Sequence, residues 1–596
     1  MQDITLTYTV NPFERLFIER SIELLYKNTI DSFRLRLHNP KTLIEELITV
    51  AQSSLSGVLT NNDYVVSTTK ELTAALDEDN HGLVFNQVNI KYYLGILKKS
   101  DRSNYKLIIQ SSKLILKDNP NYDENLFKEI YLLLKSYNSL LTPSNSLNID
   151  AKTYYQTRKK IGDLTNHLFV ELINNGYTKQ YLYNTFQAIF VRKIVSGQTF
   201  DDKFITYKNL TQKPDEEYTI IFKIIGKAFQ FSEFQKIDQA YNLINKKFRK
   251  SIERSTSAEI NNFLESNKEE NLISIEIFAK DYYKAIQIAI DKVSKDLDIF
   301  HLGFNKHFFK IDERCAVIGK NNPKKATTLP SNFQLDGYFR SDSNIFDTLL
   351  QKIKKIENNK IEPESYNKLL SAIRYYRTGS ESPELETKLL NYWIGLEYIF
   401  TSFHSEEKTI DRIKNFFPKC HTLIYVKRNL FDYHKALERL SVHKTIVNYN
   451  NDLNYLLEHS TYKQIEQTTS SELLRFRTEF FRSWQEDPSR IQASFTKHQE
   501  NLTLNITRLY RIRNEIVHNA AIKNEIYVHI SHLKYYLTFI LNSILEFMAD
   551  NSVDLDNDGK ITIDDYFIAQ DIILGALKGN KLKEFLKINN PTQILY

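Results

Sequence analysis

"RLYRIRNEIVHNA" occupies residues 508–520 and decides how the C-terminal half of the chain reads. At 100° per residue, Leu502, Ile506, Leu509, Ile516, Val517 and Ala520 share one stripe of a helix, and Arg513 falls inside it. Asn514 flanks the stripe, and His518 lies about 140° from Arg513 by the same geometry. A guanidinium among apolar side chains costs several kcal/mol unless a carboxylate or phosphate meets it. "LLNYWIGLEYIF" (389–400) supplies a candidate. Its apolar face is Leu389, Trp393, Leu396 and Phe400, with Glu397 on the edge, so a Glu397–Arg513 pair is expected.

The rest of the chain agrees with a mostly helical protein. Gly and Pro number only 15 and 12 in 596 residues, too few for a turn-rich β architecture. A 42% hydrophobic and 26% charged composition is that of a globular chain, and the length implies several domains. The abundance of Phe and Tyr accompanies a Lys/Asn/Ile bias of the kind an AT-rich genome imposes, so it is not evidence of base stacking. Cys315 and Cys420 are too few for a disulfide framework or a zinc site. A net charge of +6 permits polyanion binding without demanding it. The N-terminus lacks a basic segment leading into an apolar one, and "YYLTFILNSILEFMA" (535–549) is too short to span a bilayer. A cytoplasmic protein without membrane contact is expected.

Four regions are expected: a mainly helical sensing or scaffold region over 1–210, a small α/β domain over 215–335, a helical domain over 345–549 and a C-terminal segment over 550–596. The fold class is therefore mainly α and multidomain. "YTIIFKIIG" (218–226) and "NLISIEIFA" (271–279) read as strands, each followed by a helical pattern, the first over 232–248. No Gly-rich phosphate loop accompanies them.

"RNEIVH" fits the R-x4-6-H signature of HEPN domains. "AIRYYRTGSESPELETKLLNYWIGLEYIF" followed by "LYRIRNEIVHNA" and a long apolar helix resembles the Apea-type HEPN domain of bacteria. The resemblance implies a helical bundle that forms a homodimer and, in many members, cleaves RNA without a metal in antiviral defence of the abortive-infection type. Carried onto this chain, Arg513 and His518 would be the catalytic pair, Asn514 would orient them, and Glu397 would be an auxiliary carboxylate. A phage-derived trigger would release the activity. The chemistry is coherent: the 2′-OH is the nucleophile, His can exchange a proton near neutral pH, and Arg can meet the phosphate oxygens. The alternative is a non-catalytic RNA- or protein-binding HEPN module. A second match, Arg428 with His434, lacks comparable context and reads as chance.

"DLDNDGKITIDD" (554–565) follows the twelve-residue EF-hand loop, with Asp554, Asp556 and Asp558 at positions 1, 3 and 5, Gly559 at the sharp turn, the Lys560 carbonyl at 7 and Asp565 at 12. A structural Ca²⁺ or Mg²⁺ is the cation it would take, and catalysis would need no cofactor. An acidic helix-capping turn without an ion is the competing reading.

Overall fold

The computed structural model describes residues 4–26, 38–78, 90–139, 150–192, 197–226, 228–244, 250, 258–265, 272–303, 309–321, 326–331, 335, 343–358, 360–382, 384–402, 406–450, 452–519, 526–550, 554 and 559–588. The chain divides into two compact units, one of residues 1–171 with 336–596 and one of residues 172–335. The protein is mainly α and multidomain, with one small sheet.

The first unit opens with α1 (Pro12–Leu25), α2 (Pro40–Leu55), α3 (Asp63–Glu78), α4 (Ile90–Leu97), α5 (Tyr105–Lys117), α6 (Tyr122–Ser139) and α7 (Ala151–Asn174). Local chemistry starts several of them. Asn11 and Asn39 each close a capping box ahead of a Pro at the first helical position, which satisfies amides that a helix start leaves open.

The second unit runs through α8 (Lys179–Gln187), α9 (Phe200–Thr211), β1 (Glu216–Ile225), α10 (Ala228–Phe234), β2 (Asn242–Leu243), α11 (Ala258–Glu265), β3 (Leu272–Ala279), α12 (Tyr282–Gly303), β4 (Lys310–Gly319) and β5 (Thr327–Pro330). The sheet order is β2-β3-β1-β4-β5, with every neighbour antiparallel. Ile220 of β1 sits opposite Ile275 of β3 and Val317 of β4. Ile220, Phe222 and Ile224 face α12 through Ala285, Ala289 and Val293, while Ile221 faces α11 through Ile260 and Leu264. Burial of both faces explains why β1 reads as a continuous apolar run instead of alternating. The helix expected over 232–248 is not formed: α10 ends at Phe234 and β2 begins at Asn242. There the Tyr241 ring packs on Phe234, and its hydroxyl donates to Asp296 at 2.6 Å, so tertiary contacts override the local helical pattern.

The chain then returns to the first unit as α13 (Ser343–Asn358), α14 (Pro363–Glu381), α15 (Leu385–Phe400), α16 (Thr409–Arg439), α17 (His459–Thr468), α18 (Glu472–Glu486), α19 (Pro488–Asn519), α20 (Tyr527–Asp550), α21 (Ile563–Leu577) and α22 (Leu582–Leu586). In α20, Tyr536, Leu537, Ile540, Ile544 and Met548 are all buried, which accounts for its all-round apolar sequence. Among the described residues no helix is long and apolar enough to cross a membrane. A Cβ on Gly395 would come within 2.9 Å of the Leu537 side chain, so the missing side chain lets α15 and α20 approach closely. The N-terminal and C-terminal stretches are bound together by buried polar contacts: the Glu19 carboxylate of α1 accepts from the Ser471 hydroxyl at 2.9 Å and the Leu473 amide at 2.8 Å, at the start of α18.

Candidate functional site

On α19, Leu502, Ile506 and Leu509 are buried, as the wheel requires, and Ile512 is buried beside them, but Val517 is about half exposed. Arg513 and Glu397 do approach, Nη2 to Oε2 at 3.7 Å, yet each side chain keeps about a quarter of its surface in solvent. The Asn514 amide donates to the Tyr64 hydroxyl of α3 at 3.1 Å, and its carbonyl accepts from Arg513 at 3.0 Å. His518 is exposed near the end of the helix. Asn514 thus links Arg513 to Tyr64 of α3. The arginines of α19 sealed from water are Arg508 and Arg511, 6% and 5% exposed, neither of which the helical wheel singles out. Arg508 pairs with Glu46 of α2 at 2.8 Å and with Glu71 of α3 at 2.5 Å, and Arg511 also meets Glu46. Glu46 and Glu71 lie far away in sequence, so the helix alone does not single out these two arginines, although Arg511 also lies 3.6 Å from Glu515 one turn along α19.

At the acidic loop, Gly559 adopts φ +84° and its amide donates to Asp554 at 2.6 Å. Asp556 and Asp558 lie outside the described residues. Lys560 is exposed, and the Ile561 amide donates to the Lys360 carbonyl at 2.8 Å in a parallel bridge. Asp565 is 2% exposed and closes a capping box with Thr562 at the start of α21. The expected cation ligand therefore serves as a helix-cap acceptor here. Among the described residues no three His, Cys, Asp or Glu side chains are grouped to hold a metal.

A different site stands out in the same unit. A cleft of about 310 Å³ is walled by α1, α7, α16, α18 and α19. Its apolar lining is mostly aromatic: Tyr155 stacks on Phe476 with ring centroids 5.0 Å apart, and Tyr425, Tyr433, Phe480 and Phe481 join Leu16 and Leu473 around it. The Arg158 guanidinium, 1% exposed, is held by Glu472 at 3.1 Å and by both oxygens of Glu479 at 2.6 and 2.7 Å. Arg20 and Arg477 converge on Glu23 at 2.9 and 2.5 Å. Lys159 and Lys497 line the cleft from exposed positions.

Two residues are unexpected on packing grounds. Gly162 sits inside α7, where glycine costs up to about 1 kcal/mol relative to Ala, and a Cβ there would meet nothing within 4 Å. Packing does not require this glycine, which lies on the wall of the cleft. Asn166, one turn further, is 3% exposed, and neither its amide nitrogen nor its carbonyl oxygen has a hydrogen-bond partner among the described residues. A buried amide left this way costs about 1–3 kcal/mol.

A buried polar chain leads inward from the cleft wall. His498 Nε2 lies 2.9 Å from His421 Nδ1, and His421 Nε2 lies 2.7 Å from the Tyr535 hydroxyl. The Tyr425 ring stacks on His498 at 4.2 Å. Burial, reinforced by the Arg428 charge, lowers His498 to about 3. Burial and the neighbouring His498 push His421 well below the usual histidine range. Both rings stay neutral at physiological pH. His498 is consequently a weak base, suited to orienting a ligand by hydrogen bonding.

No family model matches the chain. No solved structure matches it either. A curated protein of Kluyveromyces lactis, "Cytochrome c lysine N-methyltransferase 1", is 27% identical over 177 residues, covering 26% of this chain. The match spans about a third of that protein's length, 32%. This finding contradicts the expected metal-independent HEPN endoribonuclease of antiviral defence: the similar protein is named for methyl transfer to a lysine, not for RNA cleavage.

Proposed function

We propose that this protein is an enzyme whose working site is the aromatic cleft of the first unit, where it holds a small organic ligand. The observation that carries the reading is the pairing of Gly162, a helix-interior glycine with open space beyond it, with Asn166, a sealed amide without partners, on one wall of a 310 Å³ cavity. Ligand sites combine apolar walls with a few placed polar groups in this way, and their usual volumes begin at about 300 Å³. The partial similarity to a lysine methyltransferase supports group transfer as the chemistry. The rings of the cleft suit a flat heterocycle, and neutral His498 can fix its orientation.

A thermal-shift screen with nucleosides, nucleotides, S-adenosylmethionine and carboxylate metabolites, run on wild type and Gly162→Trp, tests the site. The reading expects at least one compound to raise the wild-type melting temperature and to lose that effect in the variant. Stabilisers that act equally on both proteins would place binding elsewhere.

A second, narrower reading is methyl transfer to a protein lysine, favoured by the similarity alone. Incubation with S-adenosylmethionine carrying a labelled methyl group and with cytochrome c should then place label on lysine. Unlabelled cytochrome c would remove this reading and leave the cleft proposal standing.

A further inference from the structure

We infer that the ligand class of this cleft is an anionic nucleotide, with the base inside and the phosphates at the mouth; the inference rests on the cleft being the working site. Three independent features point to it. Asn166 offers one donor and one acceptor on a rigid carboxamide, and neither is matched among the described residues. That pattern is complementary to the amino and ring-nitrogen edge of adenine, which side-chain amides read with two hydrogen bonds. Tyr155 and Phe476, already stacked on each other, and Tyr425 offer ring faces of the kind bases stack on, a contact worth roughly 1–3 kcal/mol per base.

The third feature is charge. Among the described residues that line the cleft, Arg20, Lys159, Arg477 and Lys497 stand beside one carboxylate, Asp163, apart from the Arg158 cluster. Glu23 offsets part of the Arg20 and Arg477 charge. The two lysines lie at exposed positions where phosphate oxygens can reach them while the base stays buried. The same field disfavours a ligand carrying a net positive sulfonium centre, so ATP should bind more tightly than S-adenosylmethionine.

Calorimetric titration of the full chain with ATP, adenosine and S-adenosylmethionine tests this. Wild type should bind ATP. Asn166→Leu should weaken ATP at least tenfold while leaving the unliganded melting temperature unchanged or raised, since the amide has no partner to lose. A merely structural Asn166 would instead lower the melting temperature. Lys159→Ala with Lys497→Ala should weaken ATP severalfold and leave adenosine affinity unaltered. Tighter binding of S-adenosylmethionine than of ATP would overturn the anionic assignment. If neither ATP nor adenosine binds, while another compound binds wild type and not Gly162→Trp, the nucleotide inference fails and the cleft reading survives. If no compound binds, both fall.

Discussion

Filling the cleft with Gly162→Trp separates a ligand site from a packing defect. Replacing glycine in a helix interior by Trp gains about 0.3–0.5 kcal/mol from backbone propensity alone. Cβ enters open space, so no neighbour must move to admit it. A Trp side chain carries roughly 150–250 Å² of surface. If about 100 Å² of that leaves water against the aromatic lining, burial contributes about 2.5 kcal/mol at ~25 cal/mol/Å². Fixing the side chain costs about 1 kcal/mol in return. The net expectation is a stability gain of about 1–2 kcal/mol together with at least a tenfold loss of ligand affinity. Urea denaturation followed by far-ultraviolet circular dichroism reads the first effect, and calorimetric titration with ATP reads the second. A variant destabilised by more than 1 kcal/mol, or one that binds like wild type, would refute the reasoning.

Further outcomes follow from the same structure. Arg158→Ala takes one of two arginine partners from the buried Glu472 carboxylate, which keeps Arg475 at 2.6 Å, and should cost about 1.5–3 kcal/mol by urea denaturation, whereas Lys70→Ala, in an exposed pair with Glu500, should cost under about 1 kcal/mol. Glu397→Gln loosens a partly exposed contact to Arg513 and should cost less than about 1 kcal/mol, while Glu46→Ala strips Arg508 and Arg511 of a shared partner and should cost several. Asp565→Ala should remove about 0.5–1.5 kcal/mol through the lost reciprocal half of the capping box at the start of α21, the Thr562 cap itself remaining, with or without added Ca²⁺. Stability should also fall with acidification. His498 binds a proton in the unfolded chain near 6.5 but in the fold only near 3, so the unfolded state gains protons across that window. Lowering the pH from 7 to 5 should cost about 2 kcal/mol through His498, with buried His421 adding in the same direction. His498→Asn should flatten the dependence of melting temperature on pH, and an unchanged slope would show that the imidazole is not held neutral.

What the sequence revealed was local. The stripe of Leu502, Ile506 and Leu509, the apolar run of α20, and β1 and β3 were legible because each follows its own helical or strand pattern. β4 was not, because "KIDERCAVIG" buries Cys315, Ala316, Val317 and Ile318 in a row after a polar start, without alternation. The Glu397–Arg513 contact was legible from two apolar stripes that each carried one charge. Its depth was not, since α2 and α3 cover the Arg508 face of α19 and leave Arg513 toward solvent, and that choice depends on distant helices. The cleft had no motif at all. Its walls come from residues 16–20, 155–166, 425–433, 473–481 and 494–501, and only folding brings Gly162, Asn166 and His498 to one cavity.

The most direct test of the central claim is a crystal structure of wild type grown with ATP, with Gly162→Trp crystals treated identically. The account predicts a base seated between α7 and α18 beside Asn166 in the wild type and none in the variant. A nucleotide bound outside the cleft, or a cleft left empty at saturating ATP while the Trp variant still responds to it, would contradict the account.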